Sequence, residues 1–166
     1  MLIALVAAAA SLSCTVEHAR YSMRTAPSIT ASFRNVNTAK AASGWDDWPS
    51  HLAFRVHMGK TNRTYWFLPW PGGADDLQHL ASTTDVDAPD WKPPNPDGGP
   101  RPLGDFDYIA TDAQYNVIDS IPHRGDTAPA HILIPRLGDA LWHQVAELNP
   151  RDGAPKQFFD LVACSG

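Results

Sequence analysis

The run His51-Leu52-Ala53-Phe54-Arg55-Val56-His57-Met58, followed by Gly59 to Arg63 and then Thr64-Tyr65-Trp66-Phe67-Leu68, is the stretch on which the fold turns. In its first part Leu52, Phe54, Val56 and Met58 alternate with His51, Ala53, Arg55 and His57, and period two marks a strand with one buried face. Its last part is rich in the aromatics that favour strands. The glycine-containing spacer between them suits a short hairpin loop. The expectation is an antiparallel β-hairpin whose apolar side faces a core.

Similar patterns lie on both sides. Ile29 to Val36 alternates, with Ile29, Ala31 and Phe33 on one face, and Ala19 to Arg24 makes a shorter, mixed strand. Downstream, Tyr108-Ile109-Ala110 and Tyr115 to Ile118 form a second strand pair around Thr111-Asp112-Ala113. His131 to Ile134 is an apolar run ended by Pro135, and Gln157 to Cys164 supplies the last strand.

Helix is scarce. Asp75 to Ser82 has room for two turns. Leu137, Leu141, Val145 and Leu148 follow helical spacing, yet Asn149-Pro150-Arg151-Asp152-Gly153 is strong turn chemistry, so Ala140 to Leu148 is read as a strand entering a hairpin. Between residues 83 and 105, prolines at 89, 93, 94, 96, 100 and 102 forbid regular structure, leaving a long loop that Trp91 could pin to the body. The expected fold is mainly β, an antiparallel sandwich or flattened barrel with one or two short helices and this Pro-rich loop.

The two cysteines, Cys14 and Cys164, stand near the two ends of the chain. If the last strand lies antiparallel to the first, they meet and pair, as two lone cysteines do in an oxidising compartment. Closing a loop of that length restricts the unfolded chain by about 5 kcal/mol in the entropy account. The competing reading makes Cys14 a lipidated first residue. Met1 to Ala10 is apolar and uncharged, the length of a signal-peptide core and too short to span a bilayer. Residues 1–13 are therefore read as a signal peptide and 14–166 as one extracytoplasmic domain, periplasmic or secreted. The alternative is a lipid anchor through Cys14, the one route by which this reading reaches a membrane.

A net charge of -5 and four scattered lysines offer no basic stripe for phosphate backbones, which argues against a nucleic-acid partner. Clustered aspartates at 46–47, 75–76, 85–90 and 105–107 lack the spacing of a calcium loop. His51 and His57 lie about 20 Å apart on an extended strand. No metal or cofactor is called for. Nucleophile elbows and phosphate-cradling glycine loops are absent. Asn62-Arg63-Thr64 is a glycosylation sequon, and Arg124-Gly125-Asp126 reads as an exposed turn.

The aromatic set Trp45, Trp48, Tyr65, Trp66, Trp70 and Trp91 is the most suggestive feature. Flat rings on a β scaffold bind ligands, although tryptophans more often brace a core. Two functions stay open. The first is a non-catalytic binding or interaction module that meets a glycan, peptide or envelope component through Trp66, Trp70 and Trp91. The second is a small secreted hydrolase whose active site the sequence does not reveal, with Asp105 or Asp107 and His123 or His131 as trial residues.

Overall fold

The computed structural model describes residues 12–36, 50–71, 78–91, 100–145, 147 and 149–165. After a 3-10 turn at Val16–His18, nine strands follow: β1 (Ala19–Met23), β2 (Ala26–Asn35), β3 (Leu52–Met58), β4 (Arg63–Pro71), β5 (Gln78–Thr83), β6 (Asp105–Asp107), β7 (Ile109–Thr111), β8 (His131–Leu133) and β9 (Phe159–Cys164). One helix, α1 (Leu137–His143), lies between β8 and β9.

All pairings are antiparallel, in the order β6-β5-β4-β3-β2-β1-β9-β8-β7. β6 and β7 are opposite edges of the sheet, yet only Tyr108 separates them in sequence. The sheet must therefore curl until its edges meet, and it is a nearly closed barrel rather than two stacked layers.

Alternation fills the interior. Tyr21, Phe33, Phe54, Phe67, Phe106 and Phe159 all point inward and are buried. Phe54 on β3 meets Phe159 on β9 at a centroid distance of 6.2 Å although two strands separate them in the sheet, so their contact crosses the core. Phe33 and Phe54 lie 4.9 Å apart, and Phe67 meets Phe106 edge-on at 5.4 Å. Such rings bury large areas and interlock at native packing density, so the barrel holds a core rather than a channel.

The central hairpin has the expected strands and faces, with Phe54 opposite Phe67 and Met58 opposite Arg63. β9 runs antiparallel to β1, Ala19 opposite Cys164, and Cys14 and Cys164 form a disulfide with Cα atoms 6.0 Å apart. The sulfur that a lipid anchor would use is thereby bonded to Cys164. No helix among the described residues is long and apolar enough to cross a membrane.

Three segments depart from expectation. Residues 137–143 are helical, because Leu137, Ala140 and Leu141 present one stripe to the main core and a turn-rich segment, not a strand, leads on to β9. Gly138 lets this helix approach the chain closely, since a Cβ there would collide with the carbonyl oxygen of Ala154. The helix expected over Asp75 to Ser82 is replaced, from Gln78 on, by strand β5, with Leu80 buried between β4 and β6. The second partner of the downstream pair is reduced to a single bridge, Thr111 to Val117, around a turn. The signal-peptide reading falls almost wholly on residues 1–11, and Trp45, Trp48, the Asp46-Asp47 and Asp75-Asp76 pairs and much of the Pro-rich loop also lie outside the described residues.

Candidate functional site

Because the interior is filled, ligand chemistry is left to the outer face of the barrel and its ends. The outer face of β3, β4 and β5 is largely covered. Ala53, Trp66, Leu68 and Trp91 form a second apolar cluster there, with Trp70, Val86 and Ala88 against it. Residues 84–91 of the loop return across the sheet, and the Trp91 indole N–H donates to Thr83 Oγ1 at 3.1 Å. The structure thus brings Trp66, Trp70 and Trp91 together. Trp66 and Trp91 are only 5% and 7% exposed, and Trp70 is half-buried.

The outer face of β1, β2 and β3 is open, and strand register sets what it presents. Arg20 lies opposite Ser32, Ser32 opposite Arg55, and Arg55 opposite Trp66, giving one row across four strands. The next row carries Ser22, Thr30, His57 and Thr64. A groove of about 290 Å³ runs over these rows, walled by Arg20, Thr30, Ser32, Arg55, His57 and Val162. The Arg55 guanidinium sits 5.8 Å from the Trp66 ring centre, a cation–π contact, and its Nε–H is buried with no hydrogen-bond acceptor. Arg20 is exposed and has no carboxylate partner among the described residues. His57 Nδ1 lies 3.3 Å from Thr64 Oγ1.

Two further polar clusters were not legible in the sequence. On the outside of β8 and β9, His131 lies opposite Asp160 in register, and its Nδ1 is 2.7 Å from Asp160 Oδ1. Arg24 clamps the same carboxylate through Nε and Nη2, each at 2.8 Å, and Nη2 also donates to the Tyr115 hydroxyl at 2.6 Å. The Arg24 clamp first, and the His131 bond after it, hold the Asp160 carboxyl below its usual range despite partial burial.

At the hairpin end, buried Asp152 accepts from Thr61 Oγ1 at 2.5 Å, Tyr65 OH at 2.7 Å and Arg63 Nη1 at 3.2 Å. Burial first, and this carboxylate second, raise the Tyr65 phenol above its ordinary value, so it remains a donor. A groove of about 320 Å³ adjoins, with Ile29 and Met58 on one side and Lys60 and Arg151 among its polar residues.

The trial catalytic residues Asp105, His123 and His131 each face a partner outside the trial set. Asp105 pairs with Arg101 and His123 with Asp126, both local contacts, and His131 turns to Asp160. Asp126 also accepts the His123 backbone N–H, so the Arg124-Gly125-Asp126 tripeptide spends its carboxylate on holding its own turn. No group of three metal-ligating side chains occurs among the described residues.

Comparison with family models, curated proteins and solved structures finds no match to this chain.

Proposed function

We propose that the protein is a non-catalytic extracytoplasmic binding module whose ligand docks on the open outer face of β1, β2 and β3. One observation carries this reading: Arg20 and Arg55, neither ion-paired to a carboxylate among the described residues, both line this open groove. The disulfide fits an oxidising compartment, which supports the extracytoplasmic placement. Trp66 borders the groove through Arg55, so the aromatic expectation joins the proposal there, while Trp70 and Trp91 stand behind it with the covering loop. Glycans, peptides and envelope components remain the candidate partners.

The test is a thermal-shift screen of such compounds on the wild type and on Ser32→Trp, which fills the groove. A compound that raises the Tm of the wild type and not of the variant supports the proposal. A screen whose hits shift both proteins equally, or that yields none, rejects it.

The second reading, a small hydrolase, is favoured by one observation only. His131 Nδ1 faces a carboxylate held ionised, an arrangement that orients a histidine as a base through Nε2. Replacing His131 with Gln should abolish any turnover found by substrate screening, and full activity in that variant would remove this reading.

A further inference from the structure

The open groove has a chemical preference beyond being polar. Arg20 and Arg55 flank Ser32 from the two adjoining strands, so their Cα atoms are two strand spacings apart, about 10 Å. Two guanidinium forks reaching inward from that separation can address one small group between them. Ser32 adds a hydroxyl beneath, and Thr30 and His57 stand one row away.

No carboxylate lines the groove among the described residues. The nearest acids are engaged elsewhere. Glu17, on a smaller neighbouring groove shared with Arg20, Arg34 and Arg55, accepts the Gly125 backbone N–H at 3.1 Å. Asp87 faces Arg34 at 3.4 Å. A chain of net charge -5 therefore gathers Arg20, Arg34 and Arg55 on one open face, with Glu17 beside them.

Resting on the binding-module reading, we infer that this groove is an oxyanion site and that the group it takes is a phosphate. Arginine forks match phosphate oxygens in pairs, and a tetrahedral anion offers corners to two guanidinium groups and a hydroxyl at once. A carboxylate offers its acceptor sites in one plane, whereas a phosphate offers them around a tetrahedron. Arg55 lines the groove while its contact with the Trp66 ring holds the planar group in place. The phosphate arrives either on a soluble molecule or as a lipid headgroup, and both present the same oxygens.

The experiment is isothermal titration at low salt with inorganic phosphate, and in parallel flotation with vesicles containing phosphatidic acid. The proteins are the wild type, Arg20→Gln, Arg55→Lys and Arg124→Gln. Arg20 is exposed, so its variant folds without difficulty, and Arg55→Lys keeps the charge while losing the planar fork. Arg124→Gln removes the same charge from an exposed turn that lines no part of the groove. Binding of inorganic phosphate that weakens at least tenfold in Arg20→Gln and in Arg55→Lys, and is unchanged in Arg124→Gln, supports a soluble phosphate. The same pattern on vesicles alone supports the headgroup. Equal weakening in all three variants, no binding to either probe, or competition by acetate as strong as that by phosphate overturns the inference. If a screened ligand is blocked by Ser32→Trp yet is indifferent to Arg20→Gln, the binding-module reading stands and the phosphate inference falls.

Discussion

Tyr115 lies flat on His131, with ring centroids 4.4 Å apart and planes 3° from parallel. The stack joins the turn after β7 to strand β8, and Phe158 meets both rings at steep angles. Tyr115 reaches this position with φ at 65°, a left-handed conformation that a bulky residue adopts rarely. Asp112 makes it possible, because its carboxylate accepts from the backbone N–H groups of Gln114 and Asn116 and from the Asn116 side chain. The local bonds and the stack together hold a conformation that neither phenol nor backbone would choose alone.

Separating those two contributions gives the first prediction. Tyr115→Ala keeps the left-handed strain and loses the ring, while Tyr115→Gly loses the ring and relieves the strain. Chemical denaturation should find the alanine variant less stable than the glycine variant by about 1 kcal/mol, since a Cβ in that conformation costs roughly 1–2 kcal/mol. Equal stability would mean that the backbone is not strained here.

Acid titration probes the neighbouring carboxylate. The Asp160 carboxyl is depressed in the folded protein, so the stability it contributes is present above the unfolded value near pH 4 and lost as pH falls through the lower folded value. Asp160→Asn should lower the Tm at pH 7 and flatten the acid limb of the Tm–pH curve below about pH 4. Parallel curves for the two proteins would contradict the assignment.

Asp152 should be the most sensitive surface-proximal acid in the molecule. Its removal takes an acceptor from Thr61, Arg63 and Tyr65, of which Arg63 keeps the Pro150 carbonyl. Asp152→Ala is expected to cost about 3 kcal/mol in urea denaturation, the range for breaking a buried charge-assisted network. A loss under about 1 kcal/mol would show that water replaces the carboxylate.

The disulfide gives a fourth prediction. Cys14→Ser with Cys164→Ser should lower stability by about 2–4 kcal/mol, and the wild type in reductant should match that variant. An unchanged Tm in reductant would mean that the barrel closes without it.

The sequence was readable where each strand carries its own signal. Leu52 to Met58 alternates without a fault, and burial follows that alternation except at Ala53, which the returning loop covers. β5 was misread because Gln78-His79-Leu80-Ala81-Ser82-Thr83 contains one large apolar residue, and its extended form comes from β4 and β6 on its two sides. The helical spacing from Leu137 is visible in the sequence, and the strand expectation for Ala140 to Leu148 arises because the Asn149-Pro150 turn makes that stretch resemble a hairpin arm. The open groove could not be read at all. Arg20, Ser32 and Arg55 become a row only through two strand registers, and a shift of one residue in either would turn the arginines inward. His131 and Asp160 meet for the same reason across 29 residues.

The place of β9 governs when this protein can fold. Residues 159–164 lie in the middle of the sheet, between β1 and β8, although they are the last strand in the chain. A nascent chain that has not yet released them holds two unfilled edges and lacks Phe159, which meets Phe54 across the core. Such a chain lacks the strand that joins β1 to β8, so the complete nine-stranded sheet forms only once residues 159–164 are free to pair.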